Sequence, residues 1–250
     1  EISDLGNKSF YEFIIKKKSK FNNYKNLIGI IIKLQNIKPK RTYHFGKYKI
    51  NFQNYSIKNL HKESDLFFDW YLQHFLKSSK LKKVKNILKK ELTKVYKKLY
   101  FKNTVFVHRD FHASNIMVNK NKLGLIDSQD AIIGNPLYDL ASLIDDVRIK
   151  LPSNLQERLF NFYYSKSKLK KEQYKNLKND FEILSVQRNL KILGIFVRLF
   201  KRDGKPDYLK YLPYTWRLIE RRLKNPVFEN FNLMFKKYLK IQKLKKINNL

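Results

Sequence analysis

Polar side chains that suit phosphoryl transfer flank short apolar runs within Val105–Asp139. His108, Asp110 and Asn115 have the spacing His-x-Asp-x4-Asn, and Asp127 follows a later apolar run. In phosphoryl transfer, one carboxylate orients the attacking hydroxyl, while an amide and a second carboxylate hold magnesium. We therefore predict that Asp110 accepts or orients the hydroxyl proton. Asn115 and Asp127 are predicted to bind Mg2+ beside the nucleotide phosphates.

Five further polar residues of this stretch are candidates for supporting roles. His108 is expected to brace its loop by hydrogen bonding rather than to take part in the chemistry. Asp139 lies in the first turn of a predicted helix, where a carboxylate is favourable and can bond back to the loop. Arg109 can pair with an acidic neighbour or with phosphate. His112 and Asp130 are candidate substrate contacts, and the alternatives are a satisfied loop histidine and a turn former.

Short strands are expected to carry these residues. The apolar runs Val105–Val107, Ile116–Val118 and Leu123–Ile126 predict buried strands that bring the polar residues to one rim. Tyr43–Phe52 alternates in a way that predicts a hairpin or an extended loop. Leu27–Ile37 suits a strand and a buried helix about equally well, so periodicity leaves it open.

Helical patterns dominate the remaining sequence. They predict helices at Ser9–Lys18, Asn59–Leu76, Leu81–Leu99, Leu137–Ile149, Asn154–Lys166, Lys171–Phe200, Tyr208–Leu223 and Val227–Leu244. We therefore expect an α+β fold, mostly helical, with a small central β-element, and we interpret the chain as one domain.

The amino-acid composition limits which binding partners and which compartment we expect for the protein. The 250 residues carry a formal net charge of +33, with ten Arg and 44 Lys, and include no Cys. Lys is spread along the chain, and the abundance of Asn, Ile, Phe and Tyr is typical of an AT-rich genome. We therefore expect no nucleic-acid partner, although a basic rim attracts nucleotides. No apolar run approaches membrane-spanning length and no signal peptide is evident, which together with the lack of Cys favours a cytoplasmic protein.

Three stretches resemble a known family. VHRDFHASNIMV, LIDSQDAIIGNPLYDLASLIDD and QRNLKILGIFVRLFKRDGKPDYLKYLP are similar to the aminoglycoside-phosphotransferase branch of the protein-kinase-like superfamily. Within it they are most similar to bacterial N-acetylmuramate/N-acetylglucosamine anomeric kinases. ESDLFFDWY at Glu63–Tyr71 and the opening EISDLG extend the resemblance from Glu1 to about Arg222. Ser128 departs from the Phe that this subgroup usually carries after the metal-binding Asp, which removes no ligand.

The resemblance implies roles for four residues. Asp110 corresponds to the catalytic base, Asn115 and Asp127 to the magnesium ligands, and Asp139 to the support of the catalytic loop. It implies ATP or another NTP as the phosphoryl donor and a hydroxyl of an amino sugar, the anomeric one in this subgroup, as the acceptor. The fold it implies is the C-terminal lobe of a protein-kinase-like structure.

The resemblance also sets the expected domain boundaries. Residues 1–8 correspond to a hinge after an N-terminal lobe, with Glu1–Leu5 contributing to nucleotide binding. Residues 9–244 form the C-terminal lobe, with the catalytic and metal loops at 105–139, and 245–250 form a frayed tail. The lobe whose phosphate-covering loop and strand Lys hold the nucleotide is absent, so we expect this chain alone to bind ATP poorly. Some family members carry an upstream ATPase domain of tRNA threonylcarbamoyl-adenosine synthesis, and the sequence leaves such a fusion open.

Candidate acceptor contacts lie outside the central stretch. They are Glu63, Asp65, Trp70, Arg188 and Arg198, and for each of them core packing or a surface ion pair is the alternative. Two other functions stay open. The first is an aminoglycoside or other small-alcohol kinase on the same scaffold, and the second is a non-catalytic basic binding module.

Overall fold

The computed structural model describes residues 4–120 and 122–245 and divides them into two compact units. The first unit comprises the described residues of Glu1–Tyr55 and Phe101–Leu177, and the second those of Ser56–Tyr100 and Lys178–Leu250. Each unit is thus built from two segments that are distant in sequence, where the sequence suggested one domain. The hinge and tail boundaries stay predictions, and Glu1–Ser3 and residues 246–250 lie outside the described residues.

The described residues are mostly helical, as the sequence predicts. The α-helices are α1 (Phe10–Ile15), α2 (Phe21–Asn36), α3 (Ile57–Leu66), α4 (Ser78–Tyr96), α5 (Leu137–Ile144), α6 (Ser153–Lys166), α7 (Tyr174–Asp203), α8 (Leu212–Arg222), α9 (Glu229–Tyr238) and α10 (Ile241–Leu244). The strands are β1 (Thr42–Phe45), β2 (Tyr48–Asn51), β3 (Val105–Val107), β4 (Ile116–Asn119), β5 (Lys122–Leu125) and β6 (Ile132–Gly134). No helix within these described residues is long and apolar enough to cross a membrane.

The strands form three separate antiparallel pairs, all in the first unit. β1 pairs with β2 in a hairpin, so Tyr43–Phe52 is a hairpin rather than an extended loop. β4 pairs with the next strand, β5, whereas β3 pairs with the more distant β6. The last two pairs carry the residues that the sequence predicts to be functional.

The helices of the first unit follow from local sequence. The helix α2 settles the ambiguity at Leu27–Ile37, because Tyr24, Leu27, Ile28 and Ile31 are buried at the spacing of one helix face. A capping box starts α1: Ser9 Oγ accepts the Glu12 amide at 3.2 Å, and the Glu12 carboxylate accepts the Ser9 amide at 2.8 Å.

An aromatic cluster forms the core of the second unit. Phe67, Trp216 and Phe235 lie with their ring centroids 6.0–6.2 Å apart. The indole N–H of Trp216 donates to the Tyr71 hydroxyl at 2.8 Å, and that hydroxyl donates to the Leu244 carbonyl oxygen. Burial raises the pKa of Tyr71 to about 12, so the phenol stays protonated and can make both bonds.

Three predicted helices differ from the observed elements. The pattern Asn59–Leu76 is interrupted after α3 by a π-helical turn at Phe67–Tyr71 and a 3-10 turn at Leu72–His74. Where Leu137–Ile149 was expected, α5 ends at Ile144. The segment Val227–Leu244 is broken at Leu239, whose backbone is extended, into α9 and α10. Buried apolar residues lie on both sides of each break, so hydrophobic periodicity alone does not reveal it.

Two helical glycines provide a matched test of packing in the two units. A Cβ atom on Gly194 of α7 would lie 2.2 Å from the carbonyl oxygen of Leu66, whereas a Cβ on Gly29 of α2 would meet nothing within 4 Å. We expect Gly194→Ala to lower the free energy of unfolding by about 3 kcal/mol, because backbone must move. Gly29→Ala should raise it by about 0.5–1 kcal/mol through helix propensity. Urea unfolding measures both, and equal effects would contradict the close approach of α7 to α3.

Candidate active site

The loop that the sequence predicts to be catalytic begins where β3 ends. β3 is held by β6, in the register Val107↔Ile132 and Val105↔Gly134. A Cβ atom on Gly134 would lie 2.9 Å from Val107 Cγ2, so a side chain at this position would push the strands apart. Val107 itself is buried, and the chain emerges from it directly into His108, Arg109 and Asp110.

Asp139 fixes the backbone of this loop from the first turn of α5. Its Oδ2 accepts a hydrogen bond from the His108 amide at 2.8 Å, and its Oδ1 accepts one from the Arg109 amide at 3.0 Å. The side chain is 3% exposed, so both bonds are shielded from water. Arg109 has φ of +73°, a left-handed conformation that a non-glycine residue adopts only where its surroundings impose it. The carboxylate therefore holds a strained turn immediately before Asp110.

The start of α5 is fixed in turn by Asn135. Its Oδ1 accepts the Leu137 amide at 2.9 Å, and its Nδ2 donates to the Phe101 carbonyl oxygen at 3.0 Å. On the other side of this turn, Gln35 of α2 donates to the Pro136 carbonyl oxygen at 2.7 Å. Two of these bonds connect the helix start to other parts of the first unit, Phe101 and α2, so the position of Asp139 is well defined.

His108 joins the catalytic loop to the end of β5. Its Nε2 lies 2.9 Å from the carbonyl oxygen of Ile126, and because a carbonyl can only accept, Nε2 carries the proton. Burial lowers the pKa of His108, with opposing contributions from the Ile126 bond and from the carboxylates of Asp110 and Asp127. The ring is therefore neutral at physiological pH. Its bond to Ile126 connects the loop to the residue that precedes Asp127.

The loop between Asp110 and Asn115 closes on itself. The carbonyl oxygen of Asp110 accepts the His112 amide at 2.9 Å and the side-chain amide of Asn115 at 3.2 Å. Since the NH2 group of Asn115 is used in this way, its Oδ1 is the atom that can serve as a ligand. The carboxylate of Asp110 is half-buried beside it.

Asn115 and Asp127 lie at the same end of the β4–β5 hairpin. Ile116 pairs with Leu125, and the Ile126 amide donates to the Asn115 carbonyl oxygen at 3.1 Å, one residue before Asp127. Asp127 is exposed and has a left-handed backbone, with φ of 60° and ψ of 44°. The hairpin thus presents one amide oxygen and one carboxylate at its open end.

This donor set fits magnesium better than metals that need a complete protein cage. Among the residues that the structure describes, no group of three or more His, Cys, Asp and Glu side chains could hold a metal ion. Mg2+ is usually bound through one or two protein oxygens together with water and substrate phosphates. Asn115 Oδ1 and the Asp127 carboxylate are such oxygens.

A second buried carboxylate supports the same loop, and the sequence analysis missed it. Asp146 is 1% exposed, and its Oδ2 accepts the Ala113 amide at 3.1 Å. Its Oδ1 accepts the Arg148 amide at 3.0 Å, and the Arg148 guanidinium lies 3.4 Å away. The signal available in the sequence was the Asp145-Asp146 pair at the end of an otherwise apolar helix.

The two remaining loop candidates lie near these residues but make different contacts. His112 is buried, at 8% exposure. Asp130 is exposed, and its carbonyl oxygen accepts a hydrogen bond from Arg109 Nη1 at 3.2 Å. The Arg109 guanidinium therefore contacts the main-chain carbonyl of its acidic neighbour Asp130.

The five acceptor candidates from elsewhere in the sequence all belong to the second unit. Glu63 is buried and accepts hydrogen bonds from Gln187 at 3.0 Å and Lys191 at 3.3 Å. Asp65 pairs with Lys89 at 2.5 Å, the ion-pair alternative considered for it. The other three are Trp70, which is half-buried in the π-helical turn, Arg188, which is buried, and Arg198, which is half-buried.

The described part of the hinge runs beside β4. The Asn119 side-chain amide donates to the Asp4 carbonyl oxygen at 3.3 Å, and the Val118 amide donates to the Lys8 carbonyl oxygen at 2.8 Å. Leu5 packs over β5, where a Cβ atom on Gly124 would lie 2.5 Å from Leu5 Cδ2. Asp4–Lys8 therefore lies along the hairpin that carries Asn115 and Asp127 at its other end. Glu1–Ser3, also predicted to bind nucleotide, lie outside the described residues.

Comparison with known protein families shows which family has this arrangement of residues. The model of the phosphotransferase enzyme family matches residues 24–172, which include Asp110, Asn115, Asp127 and Asp139. The chain belongs to the phosphotransferase enzyme family. This confirms the resemblance that the sequence motifs suggested.

Two curated relatives are similar to this chain in sequence. The N-acetylmuramate/N-acetylglucosamine kinase of Neisseria meningitidis serogroup B is 28% identical over 227 residues, which cover 88% of this chain and 65% of the relative. The kinase of the same name from Pseudomonas aeruginosa is 32% identical over 165 residues, 64% of this chain and 49% of the relative. The chain thus spans between about half and two thirds of these relatives.

The structural comparison confirms the predicted fold class. A choline/ethanolamine kinase family protein from Mesorhizobium loti superposes with a TM-score of 0.53 at 15% identity, covering 92% of this chain and 69% of that protein. At this level of identity the likeness shows the fold alone. It agrees with a mostly helical phosphotransferase lobe that contains a small β-element.

An isosteric substitution tests the support of the phosphotransferase loop. Asp139→Asn replaces one acceptor oxygen with an NH2 group, so one amide of His108 or Arg109 loses its partner in a buried place. We expect the free energy of unfolding to fall by about 2 kcal/mol. Asp130→Asn, an exposed change in the same segment, should stay within about 0.5 kcal/mol of the parent. Equal stabilities of the two variants in urea unfolding would show that Asp139 does not hold the loop.

Proposed function

We propose that this chain is the catalytic lobe of a kinase that transfers the γ-phosphoryl group of ATP to a hydroxyl of an amino sugar. The acceptor is N-acetylmuramate or N-acetylglucosamine, and the hydroxyl is the anomeric one. The observation that carries the proposal is the arrangement of Asp110, Asn115 and Asp127 around one loop and one hairpin end. The names of the curated relatives support the choice of acceptor.

Asp110 orients the acceptor in this mechanism. Its carboxylate accepts a hydrogen bond from the attacking hydroxyl and directs the oxygen toward the phosphorus atom, in line with the leaving ADP oxygen. The proton moves to this carboxylate as the new O–P bond forms. Positioning supplies most of the rate enhancement in phosphoryl transfer, so the rigid anchoring of the preceding turn by Asp139 is part of the chemistry.

Asn115 Oδ1 and the Asp127 carboxylate hold Mg2+ in this proposal. When bound, the ion neutralises charge on the β- and γ-phosphates of ATP. The contribution of the protein is to keep the two oxygens at one end of the β4–β5 hairpin. The neutral His108 ring maintains that spacing through its bond to Ile126.

The nucleotide is proposed to lie against the hinge, Glu1–Leu5. The described part of this hinge is held along β4, the strand that begins directly after Asn115. The net charge of +33 draws the anionic nucleotide toward the protein at low ionic strength. Because ATP is a cytoplasmic donor and the acceptors are cell-wall sugars, we assign the reaction to peptidoglycan recycling in the cytoplasm.

The other functions make different predictions. A kinase for aminoglycosides or other small alcohols would use the same residues on a different acceptor. A non-catalytic basic module would bind DNA or RNA with a steep salt dependence and would transfer no phosphoryl group.

Substitution of Asp110 tests the proposal. In the protein at its native length, Asp110→Ala should lower kcat for phosphorylation of N-acetylmuramate and N-acetylglucosamine by about 100- to 10,000-fold. Asp207→Ala, an exposed change in the second unit, should leave kcat unchanged. Transfer from labelled ATP to each sugar and to kanamycin gives the rates. Unchanged activity in Asp110→Ala would refute its role, and transfer to kanamycin alone would refute the amino-sugar acceptors.

A further inference from the structure

A cavity of about 440 Å³ lies in the second unit, where two interruptions of helical structure meet. One wall follows the 3-10 turn Leu72–His74, and the opposite wall is the connection between α9 and α10. The hydrogen bond from the Tyr71 hydroxyl to the Leu244 carbonyl oxygen joins the two walls. π-helical turns such as Phe67–Tyr71, which precedes the first wall, are frequent at functional sites. The volume of the cavity is typical of pockets for small-molecule ligands.

The lining of this cavity is strongly basic. Of the ten described residues that line it, none is Asp or Glu, and four are lysines that we call the lysine cluster: Lys80, Lys237, Lys240 and Lys243. Lys80 belongs to α4, and the other three belong to α9, α10 and their connection. Because Lys80 is distant in sequence from the other three, only folding brings the cluster together. The cluster is therefore more than a run of lysines on one solvated helix face.

The lysine cluster lacks the partners that other lysines of the second unit have. Lys85, for example, pairs with Asp69 at 2.6 Å. Within residues 4–120 and 122–245, no member of the cluster forms an ion pair or a side-chain hydrogen bond. The closest interaction is that of Lys237, whose Nζ lies 5.8 Å from the centroid of the Tyr238 ring. The ammonium groups thus keep their hydrogen-bond donors available for a ligand.

The surroundings of the cluster do not offset its positive charge. Lys80 lies in the first turn of α4, where the helix dipole disfavours a cation, and no acidic residue lies in that turn. Burial and the charge of Lys201 lower the pKa of His74, which lines the same cavity, so its ring is neutral at physiological pH. Like charges around one cavity repel each other, so an anion that enters it is bound favourably.

We propose that this cavity binds the phosphate group of a small phosphorylated molecule. A phosphate group carries close to two negative charges at neutral pH, and its oxygens accept hydrogen bonds from several ammonium groups at once. Phe75, Tyr238 and Leu239 give the lining an apolar part, which suits the organic body of a phosphate ester. The inference goes beyond the proposed function, because the site lies within the second unit and uses none of the residues proposed for catalysis.

Isothermal titration of the protein at native length tests this proposal, with glucose 6-phosphate, inorganic phosphate and glucose as probes. The test variant combines Lys80→Gln with Lys237→Gln. The matched control combines Lys90→Gln with Lys236→Gln, exposed lysines of the same two helices that do not line the cavity. We expect the test variant to weaken glucose 6-phosphate binding about tenfold, the scale for losing two exposed ion pairs, and the control to stay within twofold of the parent.

Diffuse attraction to a protein of net charge +33 is the competing explanation. It predicts equal weakening in the test variant and the control, because both lose the same charge, and that result would overturn the proposal. Absence of saturable binding of both phosphate probes would overturn it as well. All four substituted lysines are exposed, so both variants should unfold at the temperature of the parent, which excludes misfolding as the cause of weaker binding.

The probes also identify the source of the phosphate group. Tighter binding of glucose 6-phosphate than of inorganic phosphate would show that the organic body contacts the apolar part of the lining, whereas equal affinities would identify inorganic phosphate as the ligand. Both results support a phosphate site, provided that the test variant weakens them. Glucose should show no binding that the test variant changes, and a change would contradict recognition through phosphate. The kinase assay does not affect these outcomes, because no phosphoryl transfer is measured.

Discussion

The pair of hydrogen bonds from the His108 and Arg109 amides to Asp139 is the constraint on which the candidate site depends. The two bonds hold a left-handed, non-glycine turn that would otherwise relax toward a more common conformation. This turn directs the chain out of β3, so it determines where the Asp110 carboxylate lies. Burial strengthens the effect, because a shielded carboxylate that accepts main-chain amides is not readily replaced by water. A residue at a helix start therefore controls the geometry of a loop far from it in sequence.

The fold was predictable where the sequence has one dominant period. The one-sided burial of α4 and the pairing of β4 with β5 follow from local spacing and a short connection, whereas periodicity left the helix α2 undecided. The π-helical turn at Phe67–Tyr71 and the early end of α5 were not predictable. Buried apolar residues lie on both sides of each break, and the tertiary packing that breaks these helices leaves no periodic signal. The division into two units, each made of two segments, depends on contacts distant in sequence and is equally hidden from local patterns.

The residues with a proposed chemical role were easier to predict from the sequence than the residues that support them. Asp110, Asn115 and Asp127 each follow or precede an apolar run, so their side-chain chemistry and their placement could be inferred together. Asp146 was harder to infer, because its role is to accept a main-chain amide from Ala113 and its signal in the sequence is the Asp145-Asp146 pair at the end of an apolar helix. Likewise, the sequence did not distinguish Arg188 from an arginine in a surface ion pair, because only its burial sets it apart.

The central claim is a division of labour in which Asp110 orients the acceptor while Asn115 and Asp127 hold the metal. The most direct measurement is the rate of phosphoryl transfer as a function of Mg2+ concentration in the protein at native length. The account predicts that Asn115→Ala raises the half-maximal Mg2+ concentration by about tenfold or more. Asp110→Ala should lower the maximal rate and leave that concentration unchanged. A shifted Mg2+ requirement in Asp110→Ala, together with an unshifted one in Asn115→Ala, would contradict it.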